Sequence, residues 1–459
     1  MGIGDRLGEY FAVEESGSDV RTEAIAGLTT FLAMSYIILV NPIILSEAIT
    51  VEGYSQVEVQ QMIAIATIIA SLVATLVMAL YARRPFALAP GMGLNAFFAF
   101  TVVLGLGIPW QTALAAVFVE GLIFIVITAV GARKYVIELF PEPVKFSVGA
   151  GIGVFLLFIG LQEMQVVVAD ESTLVALGDV ASSPVAGLGV LGLAGTFVLW
   201  ARGVKGSIVL GILGTAAAGW LLTFAGVFER GVVTPPTLAS AQYDLTPLAG
   251  AFLEGLDGVD PLTFTLVVFT FFFVDFFDTA GTLIGVSQFG GFLDEEGDLP
   301  EIEKPLMADA IGTTVGAVVG TSTVTTYIES STGVEEGGRT GLTALVVAAL
   351  FALAIVAVPL IAAIPAYASY IALVVVGIIM LQGVLDVEWN DPAWAVSGGL
   401  TITVMPLTYS IANGLAAGII AYPVIRAATG DFRKIRLGQW LLAAALVGYF
   451  YVQTSGMLL

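Results

Sequence analysis

Two aspartates lie three positions apart in a stretch of sequence that is otherwise almost entirely apolar. Asp275 and Asp278 occur in the run FFFVDFFDTAGTLIGV, within the apolar block 262–286. An aspartate at the centre of a membrane-spanning helix costs about 2.5 to 3.5 kcal/mol on an insertion scale, so two on one helix require a reason. At helical spacing they share one stripe with Thr279 and Thr282, which predicts a polar stripe facing a cavity. The alternative, stronger for Asp278, is that neighbouring amides and hydroxyls satisfy the carboxylates without a ligand.

Two other segments begin with residues that do not favour a helix. The first reads PGMGLN from Pro90 to Asn95, and the second reads GTSTVTTY from Gly320 to Tyr327. Unpaired backbone is tolerated at membrane depth only where it is buried in protein or lines a cavity, and matching broken helices mark a binding site. The second segment predicts a short threonine-rich strand and then a helix starting near Glu329. The alternative is that glycine and threonine only permit close helix packing, which leaves Glu329 unexplained.

Other polar residues in apolar surroundings are less specific. Asn95 could bind a ligand through its amide donor and acceptor, or it could cap the helix after its glycines. Glu120 could carry a proton or bond to a buried hydroxyl. Asp309 is expected to be a helix cap, whereas Thr279 and Thr326 are supporting candidates beside the acids.

The composition assigns these residues to a membrane protein. Of the 459 residues, 58% are hydrophobic and 12% are charged, and the mean hydropathy is +0.98, whereas soluble domains carry about 25% charged residues. The apolar blocks are unbroken rather than alternating, which excludes an outer-membrane barrel and predicts an all-α polytopic membrane protein. There is no cysteine and no histidine, so we expect no metal and no cofactor, and any proton must be carried mainly by Asp or Glu.

The chain is strongly acidic, with 37 acidic against 16 basic residues and a formal net charge of −21. This balance excludes nucleic acid as a partner. It is typical of a halophilic protein, whose carboxylates hold hydration in a saline cytoplasm. The alternative is an acidic member of a family from ordinary salt.

Apolar blocks predict thirteen membrane segments and a C-terminal hydrophobic helix at 437–455. A further segment, 321–338, is too polar to register by hydropathy but is flanked by spans, so it completes a set of fourteen as the tenth segment. The thirteen blocks are 24–45, 60–82, 86–104, 110–131, 146–162, 184–201, 206–226, 262–286, 306–320, 340–363, 366–386, 394–410 and 411–428.

The distribution of basic residues agrees with fourteen segments and with a cytoplasmic N-terminus at 1–23. This agreement requires a hairpin around Thr408 to Asn413 between the last two segments. Of the basic residues in the loops, only Arg230 then falls outside. The cytoplasmic ones are Arg83, Arg84, Arg133, Lys134, Lys145, Arg202, Lys205, Lys304, Arg339, Arg426, Arg433, Lys434 and Arg436.

The acid-rich stretch 227–261 is predicted to be an extracellular loop between two halves, 24–226 and 262–428. Each half has seven segments, and an odd number gives the halves opposite orientations. The sequence therefore predicts a 7+7 inverted repeat, the design of many secondary transporters. Residues 429–459 carry the C-terminal hydrophobic helix, and the protein is expected to be a multi-pass protein of the cell membrane.

Several of these motifs are those of one transporter family. The runs FFFVDFFDTAGTLIGV, PGMGLNAFFAF and GTSTVTTYIESSTGVEEGGRTGLTA resemble the AzgA-like purine permeases, as do AGLTTFLAMSYIILVNP and LTYSIANGLAAGII. These permeases are the guanine/hypoxanthine/adenine branch of the nucleobase cation symporter-2 (xanthine/uracil permease) superfamily. The resemblance covers residues 24–425 in the order of the family.

The resemblance implies short strands in segments 3 and 10, a core domain of segments 1–4 and 8–11, and a gate domain of segments 5–7 and 12–14. It implies substrate-binding roles for Asn95, Asp275 and Glu329. Asp278 is implied to be important, without a defined contact. The core domain is expected to move in an elevator-like manner against the gate domain.

The function implied is secondary active import of purine nucleobases, with the lipid bilayer as the other partner. A carboxylate can accept the N–H groups of a purine, an asparagine amide can both donate and accept, and phenylalanines can stack on its faces. A carboxylate at membrane depth favours its neutral form, so H⁺ is the expected coupling cation and Na⁺ is the alternative. The sequence does not decide between a monomer and a homodimer.

Two other function classes are weighed against this one. An intramembrane aspartyl protease needs its aspartates on different helices, whereas Asp275 and Asp278 share one, so no enzyme is expected. An anion transporter or channel of the same general architecture is the stronger rival. Such a protein would favour cationic or neutral residues at the broken helices, and this site is acidic.

Overall fold

The computed structural model describes residues 3–131, 140–235, 241–257, 260–294 and 299–454. Of the residues discussed above, Arg133 and Lys134 lie outside the described part. So do 1–2 of the predicted N-terminal segment, 236–240 and 258–259 of the predicted loop 227–261, and 455–459 at the C-terminal end.

The chain divides into two compact units. The first comprises Met1–Ala129 and Gly160–Val375, and the second comprises Val130–Ile159 and Val376–Leu459. Every side chain that sequence analysis selected for a site belongs to the first unit.

The described residues are largely helical. In chain order the α-helices are α1 (Ile3–Tyr10), α2 (Val20–Met34), α3 (Ile37–Ser46), α4 (Gln56–Val77), α5 (Met92–Ala96), α6 (Trp110–Ala129), α7 (Glu142–Glu163), α8 (Pro184–Ala201), α9 (Ser207–Phe224), α10 (Pro261–Gly290), α11 (Glu303–Val319), α12 (Ser330–Glu335), α13 (Gly341–Ala354), α14 (Ala366–Ser369), α15 (Ile371–Met380), α16 (Pro392–Leu407), α17 (Ile411–Ala428) and α18 (Leu437–Thr454). The strands are β1 (Leu88–Pro90), β2 (Val167–Asp170), β3 (Leu174–Leu177) and β4 (Val324–Thr326).

Ten helical stretches in the described part of the chain are long and apolar enough to cross a membrane, so this is a multi-pass membrane protein. They are Val20–Ser46, Gln56–Ala82, Trp110–Ala129, Glu142–Glu163, Pro184–Ala201, Ser207–Phe224, Pro261–Gln288, Gly341–Ala363, Ala366–Asp386 and Ile411–Ala428. Two shorter apolar helices, Met92–Gly105 and Leu437–Gly448, accompany them.

The helices begin where local chemistry favours a start. Ser55 and Glu58 form a capping box that satisfies free backbone N–H groups at the start of α4. Asp260 accepts a hydrogen bond from the backbone of Thr263 at 2.7 Å, and Pro261 occupies the first position of α10. The predicted block 24–45 is interrupted at Ser35 and Tyr36, between α2 and α3, whereas Pro42, which has no N–H to donate to the preceding turn, lies inside α3.

Two strands join distant parts of the first unit. Strand β1 pairs antiparallel with β4, and the partners are Leu88 with Thr326, Ala89 with Thr325, and Pro90 with Val324. All six residues are buried. The pairing agrees with the short strands expected in segments 3 and 10, and helix α12 follows β4 with Glu329 at its N-cap, as the sequence predicts.

The second unit contains a helical hairpin. Helices α16 and α17 are joined by the short turn at 408–410, which confirms the predicted break around Thr408 to Asn413. The hydroxyl of Ser397 donates to the carbonyl oxygen of Gly418 at 2.7 Å across the hairpin. Near its ends, Arg426 forms an ion pair with Asp391 at 2.6 Å.

A buried carboxylate fastens α2 to the start of α13. Glu23 is fully buried and accepts backbone N–H bonds from Arg339 at 2.9 Å, Thr340 at 3.3 Å and Thr343 at 3.2 Å. The hydroxyl of Thr343 donates to it at 2.5 Å. Because the amides at the start of a helix have no partner within the helix, this carboxylate satisfies groups that would otherwise be buried without one.

We expect Glu23→Ala to destabilise the protein. Removing the carboxylate leaves buried donors unsatisfied, at a cost of about 3 kcal/mol. The thermal unfolding midpoint of the detergent-purified variant should fall. The midpoint of Glu23→Gln, which keeps one acceptor, should fall by less. The control is Glu52→Ala, at an exposed loop position. Equal midpoints for Glu23→Ala and the control would contradict this role.

Candidate functional site

The two short strands are fixed to one another and to α4. The hydroxyl of Tyr327 donates to the carbonyl oxygen of Pro90 at 2.5 Å. The Ser330 hydroxyl accepts the backbone N–H of Ala87 at 3.0 Å. On α4, the Thr75 hydroxyl accepts from the Leu88 amide at 3.1 Å and donates to the Leu88 carbonyl at 3.2 Å. Backbone that leaves helical geometry therefore finds hydrogen-bond partners in side chains and in the opposite strand, as membrane depth requires.

Asn95 lies beside this crossing with half of its amide unused. It is fully buried within α5, and its Oδ1 accepts a hydrogen bond from the hydroxyl of Ser322. Its Nδ2 has no hydrogen-bond partner among the described residues. The N-cap of α5 is Gly91, so Asn95 is not the cap of that helix. A buried amide donor without a partner is available to a ligand.

Glu329 is hydrogen-bonded to a tyrosine that is distant in sequence. It is half-buried, and the hydroxyl of Tyr36 donates to its Oε1 at 2.6 Å. Tyr36 lies in the interruption between α2 and α3. Sequence reasoning missed this residue, although a polar Ser35–Tyr36 pair inside an apolar block is a signal that could have found it.

Asp278 lies on the same side as Glu329. It is half-buried, its charge interacts with that of Glu329, and it is hydrogen-bonded to the side chain of Thr325 on β4. Thr326, the next residue of the strand, is buried, and its hydroxyl has no partner among the described residues. The structure thus brings Asp278 and Glu329 together at β4.

Asp275 lies in a different, fully buried environment. Its carboxyl is hydrogen-bonded to that of Glu120 on α6, and the hydroxyl of Thr279 lies 3.5 Å from its Oδ1. The same hydroxyl donates to Oδ1 of Asp309 on α11 at 2.7 Å. Asp275, Thr279, Glu120 and Asp309 all have no exposed surface. The expectation that Asp309 caps a helix is wrong, because the N-cap of α11 is Ile302 and Asp309 lies inside the helix.

The predicted polar stripe of α10 is therefore divided. Asp278 lies near the partly exposed Glu329, and Asp275 lies in a buried group of carboxyls with Glu120 and Asp309. The aromatic residues around them are occupied by each other: the rings of Phe271 and Phe97 meet edge to face at 4.7 Å. Among the described residues, no group of three or more Asp or Glu side chains has a geometry that could hold a metal ion.

Comparison with known proteins assigns the chain to a family. Residues 21–417 match the Permease family (Xan_ur_permease). The chain belongs to this permease family. A permease is a transporter, so the protein is not an enzyme, and the resemblance to the purine branch is confirmed by named relatives.

Two relatives match almost end to end. The guanine/hypoxanthine permease PbuG of Bacillus subtilis is 40% identical over 96% of this chain and 98% of its own length. The adenine permease AdeP of Escherichia coli is 39% identical over 94% of this chain and 92% of its own length.

One solved structure shares the fold of this permease. The transmembrane domain of a cyanobacterium bicarbonate transporter, BicA, aligns with a TM-score of 0.60 over 87% of this chain and 97% of that chain. The two sequences are only 16% identical, so the likeness shows the fold alone.

The register of the strand crossing can be tested with cysteines, because this permease has none of its own. Leu88 and Thr326 are a directly opposed pair between two backbone hydrogen bonds, Gly91 to Thr323 and Tyr327 to Ala87. Side chains in such a pair are close enough for a disulfide. Leu88→Cys combined with Thr326→Cys should oxidise to a disulfide, detected by mass spectrometry of peptides.

The control is Leu88→Cys combined with Thr325→Cys, since a shift of one residue turns the second side chain to the opposite face. Equal crosslinking of both pairs would mean that the register differs from the one described.

Proposed function

We propose that this permease is a secondary active transporter that imports purine nucleobases of the guanine, hypoxanthine and adenine class. The observation that carries the proposal is that Asp278 and Glu329 lie together at β4, while Asn95 keeps an unpartnered amide donor beside Ser322, two residues before that strand. The names of the relatives agree with this class of substrate.

The recognition chemistry suits a flat, neutral base with alternating donors and acceptors on its edge. The Nδ2 of Asn95 would donate to a ring nitrogen or a carbonyl of the purine. Glu329, oriented by Tyr36, would accept adjacent N–H groups, and hydrogen bonds to a charged acceptor are worth about 1.5 to 3 kcal/mol. The family resemblance adds Asp275 as a substrate-binding residue, with Asp278, Thr279 and Thr326 in support.

We further propose fourteen membrane segments arranged as a 7+7 inverted repeat, with the N-terminus in the cytoplasm. The antiparallel pairing of β1 with β4 supports the repeat, because it joins equivalent broken segments of the two halves. Alternating access would follow from an elevator-like movement of the core domain, segments 1–4 and 8–11.

Proton symport is the proposed form of coupling. The chain has no histidine, and its intramembrane titratable groups near the site are Asp, Glu and Tyr. A buried carboxylate that binds a proton on one side of the membrane and releases it on the other requires no metal site.

Anion transport is the second candidate, and the fold shared with a bicarbonate transporter is the observation that favours it. The charges at the crossing oppose it. Asp278 and Glu329 would repel an anion held between the strands, whereas both can accept the N–H groups of a neutral purine.

We predict that cells lacking their own purine transport take up labelled hypoxanthine when they express this chain, and that excess guanine or adenine competes. Glu329→Gln keeps the volume but removes a charged acceptor, so uptake should fall about tenfold or more. The control is Glu335→Gln, at the exposed end of the same helix, which should behave as wild type. Sulfate or chloride flux without purine uptake would favour the anion transporter instead.

Uptake is also predicted to rise as the external pH falls, because proton binding to buried carboxyls accompanies import. A protonophore should abolish accumulation, and replacing Na⁺ with choline should have no effect. The measurement is initial hypoxanthine uptake over a pH series in the same cells. Uptake that requires Na⁺ and ignores pH would refute proton coupling.

A further inference from the structure

We infer that this permease has a second nucleobase-binding site, an outer cleft that contacts the base through Gln60, Glu163 and Thr234. The inference goes beyond the proposed purine transport but rests on it, because it takes the same class of molecule as ligand. All residues that line the outer cleft belong to the first unit.

The outer cleft has the size of a small-molecule site. Its volume is about 340 Å³, and cavities of about 300 to 1,000 Å³ typically bind small molecules. It is lined by the start of α4, the end of α7, the start of α8, residues 232–235 and parts of the stretch 361–367. In the proposed arrangement of fourteen segments these are all extracellular ends, so an imported base would meet the outer cleft first.

The outer cleft is separate from the strand crossing. Gln60 lines the cleft, whereas Thr75, on the same helix, bonds to β1. At 1.5 Å per residue these two positions are about 22 Å apart along the axis of α4. A ligand in the cleft is therefore not in contact with the crossing.

The first argument for a ligand is a buried hydroxyl. Thr234 lines the outer cleft and is 4% exposed, and its Oγ1 has no hydrogen-bond partner among the described residues. The hydroxyl of Tyr367 donates to the carbonyl oxygen of Val233 at 3.1 Å, which fixes the backbone next to Thr234. Because a buried polar group without a partner is costly, this hydroxyl is available to a ligand.

The second argument is the orientation of two amide groups on α4. Gln56 donates through Nε2 to Oε1 of Glu47 at 3.2 Å, and Gln60 donates through Nε2 to the hydroxyl of Ser46 at 3.1 Å. Both glutamines line the outer cleft. Their nitrogen atoms are engaged, so their carbonyl oxygens are the atoms that can accept from a ligand.

The end of α7 supplies an opposite kind of amide and a charge. The Oε1 of Gln165 accepts from the hydroxyl of Ser183 at 3.1 Å, which leaves its Nε2 as a donor. Glu163 is exposed, and no group in the described part of the chain donates to its carboxylate, although its charge interacts with that of Glu47. The outer cleft therefore offers both acceptors and donors to the edge of a ligand.

These groups determine which ligand fits. The acceptors outnumber the donors, and the charges of Glu47 and Glu163 repel an anion and favour N–H groups. Much of the remaining lining is apolar, as at Val57 and Ile361, which suits the faces of a flat ring. A purine base has such faces, and its edge carries both N–H donors and ring acceptors.

A metal cation is the alternative ligand, because carboxylate and amide oxygens also bind Na⁺ or Ca²⁺. The volume of the outer cleft opposes it. The oxygen ligands of Ca²⁺ lie about 2.3 to 2.6 Å from the ion, so a cation site is much smaller than 340 Å³.

The first test counts the sites. Equilibrium dialysis of the purified wild type with labelled hypoxanthine should give two bound bases per chain, one tighter and one weaker. Glu163→Gln should weaken the weaker class about tenfold, because a charged acceptor is lost, and should leave the tighter class unchanged. Thr234→Val, which removes the hydroxyl at nearly constant shape, should also weaken only that class.

The matched control is Glu171→Gln, an exposed acid in the turn between β2 and β3 that does not line the outer cleft. It should bind as the wild type does. In proteoliposomes, Glu163→Gln and Thr234→Val should raise the KM of hypoxanthine uptake with little change in kcat, since the outer cleft matters when the base is dilute.

The second test locates the weaker site and uses the absence of cysteine from the chain. Val57→Cys places a thiol in the wall of the outer cleft, and its labelling by N-ethylmaleimide is followed by mass spectrometry. Hypoxanthine should slow this labelling, also when Val57→Cys is combined with Glu329→Gln, which weakens the site at the crossing. At the control position, Glu171→Cys, hypoxanthine should have no effect.

Three results would overturn the second site. One is a single bound base per wild-type chain, a measurement that does not depend on the folding of any variant. Another is protection of Val57→Cys that disappears with Glu329→Gln. The third is protection by NaCl or CaCl₂ and not by hypoxanthine, which would assign the outer cleft to a cation. If the wild type neither binds nor transports hypoxanthine, the proposed function itself fails, which is a distinct result.

Discussion

The site depends on one constraint: a backbone that leaves helical geometry inside a membrane must find other hydrogen-bond partners. Strands β1 and β4 meet this requirement for each other, and Thr75, Tyr327 and Ser330 complete it. Because the two strands come from distant parts of the chain, their pairing also decides which side chains meet. Asn95 follows one strand, Glu329 follows the other, and Asp278 is tied to the second.

The buried carboxyls follow from a second constraint, which is the absence of basic partners. Where an acid can pair with arginine, as Asp391 does with Arg426, it can remain ionised. Around Asp275 the described residues offer hydroxyls and other acids instead.

Much of the local structure could be predicted from the sequence, because the signals are short and strong. Unbroken apolar blocks gave the helix positions to within a few residues, and the Gly-Thr-Ser-Thr run indicated a strand before Glu329. The partition of α10 could not be predicted, since a stripe at helical spacing does not say which neighbours it meets. Asp275 and Asp278 differ by about 60° around the helix, and only the positions of α6, α11 and β4 give them different environments. Tyr36 was missed for the same reason, because its partner is far away in sequence.

The strand crossing has a consequence for biosynthesis. Strand β1 enters the membrane early, but its partner is made only after the helices from α6 to α11. At about 5 to 20 residues per second, translation leaves β1 without β4 for on the order of ten seconds or more. The Leu88 amide is already held by Thr75 on α4 and Pro90 has no N–H, so during that time the Ala89 amide must be satisfied by water, by lipid headgroups or by the insertion machinery. Strand β1 therefore cannot complete its pairing before β4 is made, and a chain cut between the two strands would retain an open edge where the finished protein has none.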